Sequence, residues 1–283
     1  MNLISWNIQW GRGADGRVDL DRIVADARAF ADFDVLCLQE VASNFPDLPG
    51  NDGSDQFAGL AARLPGFAAV AGVATDVADD AGGRRQFGNM LLSRWPVLQV
   101  FRHLLPWPPQ PGTPTMQRLA LEVTLAAPGD PLRVTTTHLE YYSPPQRHAQ
   151  VERLRALQHE AAAHARAGAP GGKEVGPFRA PPRAGPAILA GDFNMAPDDP
   201  DKALLGAPID AATPRYRDAW ELAHPGRPHA PSVGLYDKQQ WPGAPFTFDF
   251  IFVSDDLAAR VADVAVDARS SASDHQPVLL RLK

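Results

Sequence analysis

Cysteine is nearly missing from this chain: Cys37 is the one example among 283 residues. An intramolecular disulfide and a cysteine-cluster zinc site are thereby excluded. No apolar run approaches the ~18 residues of a membrane span. The N-terminus, Met1-Asn2-Leu3-Ile4-Ser5-Trp6-Asn7, has neither the basic n-region nor the apolar h-region of an export signal. The reading is a soluble, cytoplasmic protein without stable membrane association. Positive charge is also short, with 27 Lys+Arg against 33 Asp+Glu and a formal net charge of −6. A generic coater of duplex nucleic acid carries the opposite sign. Any polyanionic partner must therefore be met locally, by a basic patch or a bound metal.

What is present is ordinary globular material. Apolar residues make up 45% and charged residues 21%, which excludes a disordered, coiled-coil or collagen-like chain. The length suits one large domain or two small ones, and strands of one style continue throughout, so residues 1–283 read as a single domain. Apolar spacing predicts a strand over 3–9, an amphipathic helix over 19–31, a buried strand over 34–39 and a short helix over 56–64. Four strands then follow with no helix between them, over 89–93, 97–103, 119–125 and 132–139, which implies hairpins. A long helix is expected over 144–167, with Pro in its first turn and Gly168 at its exit. Further on come a strand over 187–190, helices over 199–205 and 216–223, and strands over 246–253, 261–266 and 278–282. No Gly-rich phosphate loop follows the first strand, and helices do not follow nearly every strand as in a doubly wound fold. The pattern fits α/β architecture with two packed, mixed sheets and helices on the outer faces. The Pro/Trp stretch 105–112 is read as a candidate substrate rim, and the Gly/Pro-rich segment 169–186 as a surface connection.

The informative residues sit at strand ends, where ligand sites of α/β sheets lie. Asn7, Glu40, His138, Asp192 and Asn194 each follow an apolar run, and Asp274-His275 precede the last strand. Asp249 lies inside Phe246-Thr247-Phe248-Asp249-Phe250-Ile251 and needs a buried partner, for which His275 is the candidate. Singly, such residues are turn formers, solvated charges or structural histidines. Together they supply oxygen ligands for a hard divalent cation and groups that handle protons.

The stretches Trp6-Asn7-Ile8-Gln9-Trp10, Leu38-Gln39-Glu40-Val41, Thr137-His138-Leu139-Glu140, Gly191-Asp192-Phe193-Asn194, Phe248-Asp249-Phe250-Ile251 and Ser273-Asp274-His275-Gln276-Pro277-Val278 together resemble the endonuclease/exonuclease/phosphatase superfamily, the pancreatic-deoxyribonuclease-like fold. All six stand in that family's order. The resemblance implies a four-layer α/β/β/α sandwich of two mixed, largely antiparallel sheets, a Mg²⁺ cofactor with Mn²⁺ as the alternative, and hydrolysis of phosphoric esters. It implies Glu40 as principal metal carboxylate, Asp274 as a direct or water-mediated ligand, and Asn7 beside the ion. Asp192 is then the group that orients or deprotonates the attacking water, and Asn194 an amide donor to phosphoryl oxygens. His275 becomes a phosphate-side donor held by Asp249, and His138 a second one.

Other residues keep two readings. Arg118 clamps substrate phosphate or caps a strand, and Tyr141-Tyr142 stack on a substrate ring or cover the following helix. Glu140 is read as a rim charge, and His148, His159 and His164 as a solvated helix face. Arg84, Arg85, Arg94 and Arg118 are candidates for a local phosphate track. The expected substrate is a nucleic-acid or nucleotide phosphodiester. A phosphatase or sphingomyelinase-like hydrolase is the second reading, and a non-catalytic binding module on the same scaffold the third.

Overall fold

A computed structural model describes residues 1–80, 82–168, 176 and 183–283. The first half of the chain runs β1 (Asn2–Asn7), α1 (Leu20–Phe30), β2 (Val35–Ser43), α2 (Gln56–Arg63), β3 (Ala68–Ala78) and β4 (Arg84–Ser93). The hairpin strands β5 (Val97–Leu104), β6 (Leu119–Leu125) and β7 (Leu132–His138) follow, then α3 (Pro144–Ala167) and β8 (Ala187–Asp192). The chain closes with α4 (Pro200–Gly206), β9 (Tyr216–Asp218), α5 (Ala219–Ala223), β10 (Asp249–Ser254), β11 (Val261–Val266) and β12 (Val278–Leu282).

Two six-stranded sheets result, in the orders β11-β12-β1-β2-β4-β3 and β5-β6-β7-β8-β10-β9. Each is antiparallel except for one central parallel pair, β1 with β2 and β7 with β8. Strand alternation sorts the apolar residues into layers. Leu3, Val35, Cys37 and Leu91 of the first sheet pack with Leu121, Val134, Ile188 and Ile251 of the second in one inner core. Ile4, Trp6, Leu36 and Leu38 point the other way, onto Ile23, Val24 and Ala27 of α1 and Phe57 and Leu60 of α2. On the far side Leu189, Phe250 and Phe252 meet Val151, Leu154 and Leu157 of α3. The expected α/β/β/α layering is therefore present. Among the described residues no helix is long and apolar enough to cross a membrane.

Local chemistry sets the helix ends. Asp19, Asp55 and Ser143 accept a backbone N–H at the starts of α1, α2 and α3. Gly168, at φ 71°, ends α3. Three expectations change. A strand, β3, fills 68–78, where none was read. The helix expected over 216–223 divides, because Asp218 ends β9 and turns to cap α5 through the N–H groups of Trp220 and Glu221. The strand expected from 246 begins at Asp249. The segment 169–186 lies outside the described residues except at 176 and 183–186.

Candidate active site

Strand parity brings most of the site together. In β1, Leu3 faces the inner core and Ile4 and Trp6 the outer layer, so Asn7 continues the inward row. The same rule turns His138 inward after Val134, and Asp192 inward after Ile188 and Ala190. It also places Asp249 inward, ahead of Ile251. Register completes the row: His138 stands beside Asp192 across the parallel β7–β8 pair, and Asp249 stands opposite Asp192 across β8–β10.

Glu40 breaks the parity. Leu36 and Leu38 face the outer helices, and regular alternation would send Glu40 with them. Instead the β2–β4 register shifts between Leu38 and Val41, and Glu40 takes φ 60°. The bulge swings the carboxylate back to the cleft, where Asn7 Nδ2 donates to its Oε1 at 2.9 Å. The same amide donates to Asp192 Oδ2 at 3.0 Å, so Asn7 ties one sheet to the other. Beneath it, Gln39 Nε2 donates across the gap to Thr136 Oγ1 at 2.8 Å.

Asp192 is the hub. Its Oδ1 accepts Asn194 N–H at 2.9 Å. Its Oδ2 lies 3.5 Å from His138 Nε2 and 3.7 Å from His275 Nε2. On its other side His275 donates from Nδ1 to Asp249 Oδ2 at 2.8 Å, an oxygen that also accepts the Ser232 hydroxyl at 2.7 Å. Burial, reinforced by the Asp249 charge, pushes the Asp192 carboxyl up to about 7, against the pull of His275, Asn7 and Asn194 N–H. Burial opposes charge on His275, but Asp249, Asp274 and Asp192 outweigh it and raise the imidazole well above its usual value. Burial and the nearby Arg118 and His275 hold His138 well below. The site thus contains one charged and one neutral imidazole beside a carboxyl poised near neutrality.

The carboxylates separate into two kinds. Asp192, Asp249 and His275 present ligand atoms within 4.8 Å of one another, but the charged imidazole compensates them. Glu40 and Asp274 have no Lys or Arg ion pair among the described residues, whereas the buried Glu122, Glu140 and Asp218 each have one. Glu40 is raised by burial and then by repulsion from Asp274. Two mutually repelling carboxylates without a Lys or Arg ion pair, with the Asn7 amide beside Glu40, fit a hard divalent cation that keeps part of its water.

Around this floor is a cleft of about 430 Å³, lined by Glu40, Arg118, His138, Asp192, Asn194, Asp274 and His275 together with aromatic side chains. Tyr141 meets Trp241 edge-on at 6.2 Å and Phe248 at 6.1 Å. Trp10 joins the lining from a tight turn in which it adopts φ 45°. Sequence reasoning missed Trp10, Gln240 and Trp241, since turns and irregular loops carry no periodicity.

Several side-chain readings are corrected. Glu140 is no rim charge: it is fully buried, accepts Arg118 Nε at 3.2 Å and accepts Tyr142 N–H at 2.9 Å. Arg118 caps no strand with its side chain; it lines the cleft, 6% exposed, with Nη1 buried and unpartnered. The arginine track does not form, because Arg84 pairs with Asp76, Arg85 with Asp47, and Arg94 with Asp32 and Asp34. The stretch 105–112 is not in the lining, which takes Met116 instead. Pro106 and Pro108 accept from Gln150 and Gln146, pinning that stretch to α3. Asn194 Nδ2 donates to Leu139 O at 2.9 Å, which leaves its second N–H for the cleft. His148 and His159 are solvated, as expected, and lie near Asp201 and Asp210.

Residues 4–275 match the sequence model of the Endonuclease/Exonuclease/phosphatase family. No curated protein matches the chain in sequence. An endonuclease/exonuclease/phosphatase from Beutenbergia cavernae is similar in structure at TM-score 0.61 and 25% identity, over 100% of this chain and 71% of its own. A humanized D. rerio TDP2 shares the fold at TM-score 0.61 and 20% identity, over 100% and 98% of the two chains. The mannosyl-6-phosphatase Bt3783 of Bacteroides thetaiotaomicron does so at TM-score 0.64 and 16% identity, over 100% and 99%.

Proposed function

The chain belongs to the Endonuclease/Exonuclease/phosphatase family and is a phosphoester hydrolase; from this we propose that it is a divalent-metal-dependent phosphodiesterase, one catalytic domain over residues 1–283, acting on nucleic-acid or nucleotide substrates. The observation that carries the proposal is the Glu40–Asp274 carboxylate pair, which has no Lys or Arg ion pair among the described residues, beside the Asp192–His275–Asp249 chain.

Glu40 and Asp274, with Asn7 alongside, would hold Mg²⁺ or Mn²⁺. Such an ion supplies charge neutralisation at the phosphoryl group and the departing oxygen. Asp192, with a carboxyl near 7, accepts the proton of the attacking water. Charged His275 donates from Nε2 to a non-bridging oxygen, and Asp249 holds its Nδ1–H and its orientation. The free N–H of Asn194 and the unpartnered Nη1 of Arg118 serve as further phosphate donors. His138 is a neutral donor on the same side. Tyr141 offers an aromatic edge to a substrate ring.

A substrate of one or two nucleotides, or the end of a strand, suits the aromatic lining and the cleft size. The surface arginines Arg84, Arg85 and Arg94 are each spent on an aspartate, which disfavours a long duplex. These two features also favour the phosphatase side of the second reading, a phosphatase or sphingomyelinase-like hydrolase of small-molecule or lipid phosphoesters. Turnover of bis-p-nitrophenyl phosphate and p-nitrophenyl phosphate with Mn²⁺ or Mg²⁺, with and without EDTA, tests both. Metal-dependent cleavage of the diester in preference to the monoester is the expected result. Preference for the monoester selects the phosphatase reading, and no metal-dependent turnover on either overturns the proposal.

A further inference from the structure

We propose that Trp241 is a positioning residue for Asp274, setting the orientation of that carboxylate toward a divalent cation, in addition to forming the cleft wall; this rests on the metal reading above. Trp241 Nε1 donates to Asp274 Oδ2 at 2.9 Å. An indole N–H is a donor only, so this bond occupies one lone pair of Oδ2 and locks that oxygen. Ser273 Oγ lies 3.2 Å from the other oxygen, Oδ1, and also donates to Asn7 O at 2.8 Å. The hydroxyl has one proton, which the shorter bond to Asn7 O takes, so Trp241 is the donor that holds this carboxylate, and further lone pairs remain for a ligand. Neither Lys nor Arg pairs with Asp274 among the described residues, and Asp274 is buried.

The surrounding loop is built to place that indole. Trp241 N–H donates to Asp237 O at 3.0 Å, and the ring packs edge-on against Phe246 at 5.2 Å and Tyr141 at 6.2 Å. Gly234 N–H donates to Asp274 O at 3.1 Å, so the same loop grips Asp274 by its backbone as well. Gly234 takes φ +72°, and a Cβ there would lie 2.9 Å from Trp241 Cβ; a larger residue would displace the indole. A wall residue needs only a ring, whereas this ring is oriented so that its single polar atom meets a carboxylate with no Lys or Arg ion pair among the described residues.

The test is Mn²⁺ binding to substrate-free protein, by calorimetry or by loss of the free-Mn²⁺ resonance, in wild type and Trp241→Phe. The phenyl ring keeps the wall and removes the N–H. A second variant carries benzothienylalanine at position 241, which keeps the indole shape with sulfur in place of N–H, and serves if the phenylalanine variant folds poorly. The expected result is a Kd for Mn²⁺ raised ~10-fold or more, the scale of losing a hydrogen bond behind a metal ligand. An unchanged Kd in the isosteric variant overturns the positioning role while leaving the metal reading intact. Failure of the wild type to bind Mn²⁺ overturns the metal reading itself.

Discussion

His275 Nδ1 lies 2.8 Å from Asp249 Oδ2, although the two residues lead strands of different sheets. Asp249 opens β10 in the second sheet, and His275 precedes β12 in the first. The pair spans the sandwich, so the imidazole is aimed by the opposite layer.

Asp249→Asn is therefore expected to lower kcat on bis-p-nitrophenyl phosphate by ~10²-fold or more, the scale of a lost proton-handling group. KM should move little, since the change acts on the transition state. Steady-state kinetics at saturating Mn²⁺ measure both. A near-normal kcat would remove His275 from the chemistry.

Arg118 and Glu140 form one buried ion pair, and Arg118 also lines the cleft. Arg118→Ala should cut kcat/KM by ~10–100-fold, the worth of one charged hydrogen bond to phosphate. Either alanine variant strands the other charge, and by the cost of breaking a buried pair each should lose ~3–5 kcal/mol of stability. Urea unfolding measures the stability loss, and steady-state kinetics on the folded protein measure the catalytic one. A kcat/KM close to wild type in folded Arg118→Ala would mean that Arg118 is structural.

Acid stability should depend on Glu122. Burial opposes its charge, but His103, Arg133 and Arg183 outweigh that and lower its carboxyl to about 2. The folded value is below the ordinary 4.5, so the unfolded chain takes up its proton first as pH falls. The stabilisation is complete above about 4.5 and is lost as pH drops toward 2. Glu122→Gln should therefore be clearly destabilised at neutral pH, with the gap to wild type narrowing through that window. Urea midpoints at several pH values measure it; a gap that does not narrow would mean Glu122 is not ionised in the fold.

Much of this site was legible because its polar residues stand where apolar strand runs end. Asn7, His138, Asp192 and Asp249 continue inward rows set by apolar neighbours, and the sequence shows those rows directly. Glu40 was legible from its place at a strand end and from family resemblance, while its direction was not, since alternation alone points it at α2; a bulge of one register step is invisible in composition. Glu140 misled for a related reason. A carboxylate past a strand end reads as solvated until its partner is known, and Arg118 is 22 positions away. Trp241 and Ser232 lie in irregular chain between α5 and β10, where no period exists to be read. The arginine track failed because each surface arginine met an aspartate, Arg84 across the β3–β4 hairpin and Arg85 and Arg94 from loops.

The Asn7 amide carries a consequence of its own. With one nitrogen it holds Glu40 of its own sheet and Asp192 of the other, so the two halves of the proposed chemistry share a single covalent post. Any slackening that let the layers drift apart by an ångström would part the water-activating group from the ion-holding group while each sheet kept its own ladder. Competence here is a property of the gap, and the sheets can outlive it.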